Sequence, residues 1–439
     1  MSGGGNNATI SFPGPEWAML WPDAFDNFQL DIVGFLAILG EGSVAANAQV
    51  AALSRLFYLP RLIPAPQALL WPNRPSTLPP QTASVTAVSS GNVKDHVHHV
   101  AHVLLGEEMP TFMVRCVEVR KRVARRTATR MDTILRGQPV RAKTQSPEFE
   151  APSVKAKATG PLAWVTVLGF SLSLALFIIS IIFGDGMSLL ATILLSFLST
   201  LVGVGNKWSL RLPRRPQGSV PPVGDVVIRY PNGSYLVVKC DEDVARELYF
   251  APEEIEYNIK SPAAFRIIGL VGTLMLMLGV IALANARLEL QFAWAGAYIL
   301  INIAQWTAAA LPSRMHWDLS CYDVKEQGVV GGPKNPNFTE ALWKAIMFTK
   351  STRWVKNGKA APQTETWDLW LREAQEKAQD IQESKCDTLT DPAWTNGKAA
   401  KGTVWEDPEH WKPKEAWDGL NNEVNEAQKI NAKHPMQAV

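Results

Sequence analysis

No lysine or arginine occurs in the first 50 residues of this 439-residue chain, whereas five acids do: Glu16, Asp23, Asp26, Asp31 and Glu41. A cleavable secretory leader needs a basic start, so none is expected here. Cysteine is scarce. Cys116, Cys240, Cys321 and Cys386 lie far apart and form no Cys-x-x-Cys pair. That argues against a zinc ribbon or a disulfide framework and fits a reducing, cytosolic setting. Charge is also sparse, at 19% of residues against ~25% in ordinary domains. The 43 basic and 41 acidic side chains nearly cancel, which excludes the strongly basic domain of a dedicated nucleic-acid binder. Catalytic signatures are missing as well: there is no phosphate loop, no His-Glu-x-x-His and no Gly-x-Ser-x-Gly. His316 and Asp318 flank Trp317 without a nucleophile or metal partner nearby in the chain. No enzyme, cofactor or metal is expected from these absences.

Four runs lack charge altogether: Leu162–Phe183, Met187–Gly205, Ile267–Ala286 and Leu290–Leu311. A helix needs ~20 apolar residues to cross a hydrocarbon layer of ~30 Å, so each run predicts a transmembrane helix. Only Gly184, Asp185 and Gly186 separate the first pair, and Arg287, Leu288 and Glu289 the second. Three residues allow a tight turn, so two antiparallel hairpins follow, 162–205 and 267–311. Basic residues stay cytosolic near span ends. Lys155, Lys157, Lys207, Arg211, Arg214, Arg215, Lys260, Arg266 and Arg314 flank the open ends, against Arg287 alone in the turns. Both termini and the middle loop are therefore expected in the cytosol. Trp164, Trp208, Trp294 and Trp306 sit toward span ends, where indoles suit the interface. With no ionisable side chain inside a span, proton relays and voltage sensors are disfavoured. Asn302 and Gln305 in the last span either line a pore or hydrogen-bond between helices.

Outside the spans, residues 1–72 are apolar and acidic, with a helix expected from Ser43 to a stop at Pro60. Residues 30–59 are a candidate for partial membrane entry. Residues 73–92, rich in Ser, Thr and Pro, read as a flexible linker. Within 93–137, His98 and His102 would share a helix face and are weak candidates for a transition metal, the plainer reading being a solvated face. Thr111–Arg136 reads as a basic amphipathic helix, with Arg115, Arg122, Arg126 and Arg130 set to contact anionic lipid headgroups or simply to face water. A second linker, 138–161, leads to the membrane. In the loop 206–266, Asp225–Tyr230 and Tyr235–Cys240 flank Pro231-Asn232-Gly233-Ser234, a β-hairpin signal, and Asp241 opens a helix. The tail, 312–439, holds nine of sixteen tryptophans, with helix caps expected at Asn337 and Thr364. Its indole stripes either bind a partner or pack against neighbouring segments.

The segments Gly224–Tyr230, Val237–Cys240, Asp243–Tyr249, His316–Ser320 and Phe338–Ile346 resemble a family of multi-pass membrane proteins of filamentous ascomycete fungi. The resemblance spans roughly the last 280 residues and implies a membrane architecture. That family has no assigned biochemistry, so no functional residue is carried over.

The sequence therefore predicts an α-helical integral membrane protein: four transmembrane helices in two hairpins, a small cytosolic β-hairpin-plus-helix module and helical cytosolic termini. The function expected is partner binding or membrane organisation, through the bilayer, anionic headgroups, a cytosolic protein or a second copy of the chain. An oligomeric channel or transporter around the fourth span, and reticulon-like membrane shaping, are the alternatives.

Overall fold

The structure is a computed structural model that describes residues 41–70, 74–106, 109–122, 154–211, 221–389 and 400–433. The strands are β1 (Gln81–Ala87), β2 (Val93–Val97), β3 (Val114–Lys121), β4 (Lys155–Ala156), β5 (Trp208–Arg211) and β6 (Val226–Arg229). They continue with β7 (Tyr235–Lys239), β8 (Glu254–Tyr257), β9 (Trp317–Asp318), β10 (Tyr322–Val329), β11 (Gln382–Leu389) and β12 (Ala400–Glu406). The helices are α1 (Glu41–Leu53), α2 (His99–Leu105), α3 (Pro161–Ile182), α4 (Gly186–Asn206), α5 (Glu242–Ala245) and α6 (Pro262–Ala284). After these come α7 (Leu288–Ala310), α8 (Phe338–Thr349), α9 (Arg353–Asn357), α10 (Glu365–Lys377) and α11 (Pro413–Lys433).

Eight strands form one mixed sheet in the order β11-β12-β10-β3-β7-β6-β1-β2. Its centre is the expected hairpin. Gly233 takes the left-handed turn conformation at φ +79°, and β6 pairs antiparallel with β7, Arg229 opposite Tyr235. Both strands are continuous apolar runs because both faces are covered. Tyr235 and Val237 point into one core with α8 and α10, while Leu236 and Val238 point into another with α2, Trp208 and Trp317. A lone hairpin could bury only one of these faces.

This sheet overturns the all-helical expectation. Among the described residues three helices, α3, α4 and α6, are long and apolar enough to cross a membrane, with mean hydropathies of 2.5, 2.1 and 2.6. The fourth expected span is a helix, α7, but is not among them. It carries Glu289, Gln291, Asn302 and Gln305. The four-span assignment is therefore corrected to three candidate spans beside a large mixed sheet.

Three further expectations fall with it. The linker at 73–92 contains β1, whose Val85 is fully buried. The tail, expected to be helical, contributes β9 through β12 as well as helices. The basic amphipathic helix begins as β3, paired parallel to β7 and antiparallel to β10. Val114 and Cys116 face one core and Val117 and Val119 the other, so the period is two rather than 3.6. Every second position fits a buried strand, and β-branched valine favours it.

The helices invert the usual pattern. On α3 the buried positions include Thr166, Gly169, Ser173 and Ser180, whereas Leu174, Ile178 and Ile182 are exposed. Ser173 and Ser180 hydrogen-bond to Ser196 and Ser188 of α4. Gly272 and Gly279 of α6 let Leu198 and Leu195 of α4 approach. At the far end Asp185 accepts from Met187 N and Ser188 N, capping α4, and from Arg287 N at 2.7 Å, tying the two hairpin turns together. Trp164 and Trp306, 68% and 69% exposed, stand near the sheet-side ends of α3 and α7, as interfacial indoles would, whereas Trp208 and Trp294 are buried.

Candidate functional site

The segment after α1 is the feature that sequence reasoning missed. Ser54 caps a 3₁₀ turn, Arg55–Tyr58, and the chain then runs through Pro60, Pro64 and Pro66 between the long helices. Proline cannot continue a helix, so this backbone needs acceptors and donors from its neighbours. Arg61 N donates to Ser199 Oγ at 2.9 Å and Leu62 N to Gly169 O at 3.2 Å. Ser199 Oγ and Thr200 Oγ1 donate to Leu59 O and Tyr58 O, both at 3.0 Å. Asn206 Nδ2 reaches Leu69 O at 3.1 Å. Gly169 and Gly203 make room: a Cβ on either would lie 2.7 Å from Leu62 O or 2.8 Å from Phe57 O. Gly169 is eight residues into α3, about 12 Å from its sheet-side end at 1.5 Å per residue. Irregular backbone at that depth between apolar helices is tolerated where protein groups satisfy it, as they do here.

Arg61 is thereby delivered into the helical bundle, beside α3 and α4, which carry no charged residue. It is 7% exposed. Its Nη1 donates to Phe57 O at 2.9 Å, and the guanidinium carbon lies 4.9 Å from the Phe57 ring centre. Thr166, Arg61 and Gln305 line a cavity of about 40 Å³ together with apolar side chains. A water needs roughly 10–15 Å³, so the space fits a water or a small anion. Gln305 also donates to Ser43 O at 3.4 Å. Asn302 instead donates to Tyr298 O of its own helix at 2.9 Å and does not line this cavity. The two polar residues of the fourth expected span are thus not brought together.

The histidines form a different arrangement from the one expected. His98 precedes α2 and is 5% exposed, and the Lys94 ammonium donates to its Nε2 at 3.0 Å. Burial, then the neighbouring Lys94 charge, pushes the imidazole down to about 4. His99 packs its ring on Trp317, and Glu253 accepts from His99 N and Val100 N at the start of α2. His102 lies inside α2, its pKa lowered by burial. Among the described residues no group of three His, Cys, Asp or Glu side chains converges for a metal ion.

Arg115, expected to contact lipid headgroups or to face water, is instead buried in β3. It binds both carboxylate oxygens of Glu326 and donates to Leu105 O at 2.9 Å. Arg122 pairs with Asp323 at 3.3 Å. Arg126 and Arg130 lie outside the described residues, as do residues 30–40. At the other end of β3, Glu247 is buried on a π-turn, Arg246–Phe250, where it accepts from Lys121 Nζ at 2.6 Å and Tyr322 Oη at 3.2 Å. Burial raises the Glu247 carboxyl, opposed by Lys121.

Most tail tryptophans among the described residues pack internally. Trp343, Trp354, Trp367, Trp370 and Trp405 are buried, and the Trp343–Trp411 and Trp367–Trp370 pairs meet edge to face. Trp370 donates to Pro413 O and Trp411 to Glu373, pinning α11 to α10.

No protein-family model matches this chain, and no curated protein or solved structure matches it.

Proposed function

We propose that this chain is a non-enzymatic membrane-anchored organising protein that holds an α/β domain against the cytosolic face of a membrane, where it meets protein partners. One observation carries the reading. Strands that precede α3 (β1–β3), lie between α4 and α6 (β6, β7) and follow α7 (β10–β12) all join one sheet. Three separate stretches of chain are thus held on one side of the helices, α7, less apolar than the three candidate spans, bringing the chain back to it, which fits both ends lying on that side. The basic residues near the sheet-side helix ends, against Arg287 beside Glu289 at the far turns, favour the cytosol for it.

Asn7, Asn232 and Asn337 each begin an Asn-x-Ser/Thr sequon on the side assigned to the cytosol. The tagged protein expressed in a eukaryotic cell should show no endoglycosidase-sensitive shift, and protease added to sealed microsomes should digest the sheet. A shift, or a protected sheet, overturns the orientation.

A second reading is favoured by Arg61. A buried guanidinium beside a small polar cavity inside apolar helices is the kind of feature that marks a solute path. In that reading the protein occludes a small anion. Anion flux into proteoliposomes above that of empty vesicles, lost in Arg61→Gln, would replace the organising function with a carrier. Flux equal to empty vesicles retains the first reading.

A further inference from the structure

A groove of about 450 Å³ opens where α6 emerges toward the sheet. Arg74, Lys260 and Arg266 line it with Tyr257 and Phe265, and Glu256 is its only acid. The Arg74 guanidinium carbon lies over two rings, 3.7 Å from the Phe265 centre and 4.6 Å from that of Tyr257. Its Nη1 donates to Ile259 O at 2.6 Å. Its Nε and Nη2 are enclosed and have no acceptor among the described residues. A buried donor without an acceptor costs about 1–3 kcal/mol, more when charged, so an acceptor brought into the groove relieves that cost. Lys260 is 79% exposed at its side chain and pairs with Glu256 at 2.9 Å. Arg266 projects from the first turns of α6 and is exposed.

What lies next to the groove selects the ligand. Immediately along α6, Ile267, Leu270, Val271 and Leu274 are all exposed. These belong to the apolar surface of a helix able to cross a membrane. Trp164 and Trp306 stand exposed near the same, sheet-side ends of α3 and α7. A cationic, aromatic-walled groove thus passes directly into a strip that suits acyl chains. A soluble phosphate would use the first half and leave the second bare; an anionic lipid uses both.

The geometry points to a specific site for an anionic glycerophospholipid, its phosphate held by Arg74, Lys260 and Arg266 and its acyl chains lying along Ile267, Leu270 and Leu274 of α6. The inference rests on the membrane-anchored reading. That reading fails separately, if the protein leaves the membrane fraction at high salt or alkaline pH.

The test uses full-length protein, purified in detergent, delipidated and titrated with phosphatidylserine or phosphatidylcholine by native mass spectrometry. One phosphatidylserine should be retained in preference to phosphatidylcholine. Packing of Arg74 between rings makes its substitution ambiguous, so the exposed pair carries the test. Lys260→Gln and Arg266→Gln should each weaken phosphatidylserine about five-fold, the equivalent of ~1 kcal/mol per cation near a headgroup. Lys429→Gln, on the exposed part of α11, should change nothing. Equal retention of phosphatidylcholine, or unchanged affinity in the double variant, overturns the site. Competition by millimolar inorganic phosphate as effective as that by short-chain phosphatidylserine overturns the lipid assignment.

Discussion

The helical bundle and the mixed sheet bury opposite chemistries. In β7 the residues taken out of solvent are Tyr235, Leu236, Val237 and Val238; in α3 they include Thr166, Gly169, Ser173 and Ser180, while Ile178 and Ile182 face outward. Burial therefore does not follow hydropathy alone. It follows the difference between a side chain and the solvent its element meets, water for the sheet and, on the proposed reading, hydrocarbon for the helices. The same contrast governs charge. The sheet encloses the Lys121–Glu247 and Arg115–Glu326 pairs, whereas Arg61 in the bundle relies on backbone carbonyls and a ring.

The largest effect should come from breaking a pair in the sheet. Lys121→Met leaves the Glu247 carboxyl buried with Tyr322 alone, and removing one partner of a buried pair costs about 3–5 kcal/mol. Denaturant unfolding should show that loss, and Lys121→Met combined with Glu247→Leu should recover much of it. A single variant as stable as wild type would mean that the sheet tolerates lone charge no differently from the bundle.

On the bundle side the matching test is steric. Gly169→Ala places a methyl 2.7 Å from Leu62 O, and overpacking of this kind costs about 1–3 kcal/mol. Protease cleavage between Arg55 and Leu70 in detergent should accelerate. Cleavage at the wild-type rate would show that the proline segment is held from elsewhere.

Asp185→Ala comes next. It removes the cap of α4 and the bond to Arg287 N, and loss of such a cap costs about 0.5–2 kcal/mol. The expected readout is a lower melting temperature with an unchanged sheet. An intact melting temperature would mean that the serine contacts of α3 and α4 hold the far end without it.

The smallest effect is a slope. The folded His98 is depressed to about 4 from 6.5, so it binds its proton more readily unfolded. The stability it contributes is full above pH 6.5 and is lost as pH falls through 4. Lys94 and His96, both facing it, add to the depression. His99 and His102 move in the same direction through burial. Buried Glu247 and Glu253 oppose it, since their raised pKa values give stability that is full at low pH and fades as pH rises through them. His98→Gln keeps an acceptor for Lys94 and should flatten the acid limb of a melting-temperature profile between pH 6.5 and 4. An unchanged limb would assign the loss to other groups.

What the sequence revealed was local. Uncharged runs marked the long helices within a few residues, the Asn232-Gly233 turn set the register of β6 and β7, and Asn337 and Thr364 cap the helices they were expected to cap. What it hid was non-local. β3 pairs with β7 across the whole first helical hairpin and with β10 some two hundred residues on, and nothing in Val-Arg-Cys-Val-Glu-Val-Arg-Lys states those partners. Its arginines and lysine, continuous with the basic run after it, mimic a cationic helix. The β6–β7 hairpin carried a usable warning, because apolar residues at every successive position demand two covered faces. Arg61 was invisible as a bundle residue for a similar reason: the glycines that admit its segment, Gly169 and Gly203, lie more than a hundred residues away.

The sheet has a consequence for synthesis. β3 emerges from the ribosome long before its parallel neighbour β7, with both helices of the first hairpin between them. At about 5–20 residues per second, the interval is on the order of 6–20 s. β10, on the other side of β3, comes only after the second hairpin is made. Until β7 appears this central strand has neither flank covered, and until β10 appears it has only one. Closure of the sheet on both flanks of β3 must therefore wait for both helical hairpins to be made, and until β7 appears the nascent chain offers a chaperone a defined client, the valine-rich stretch 114–121.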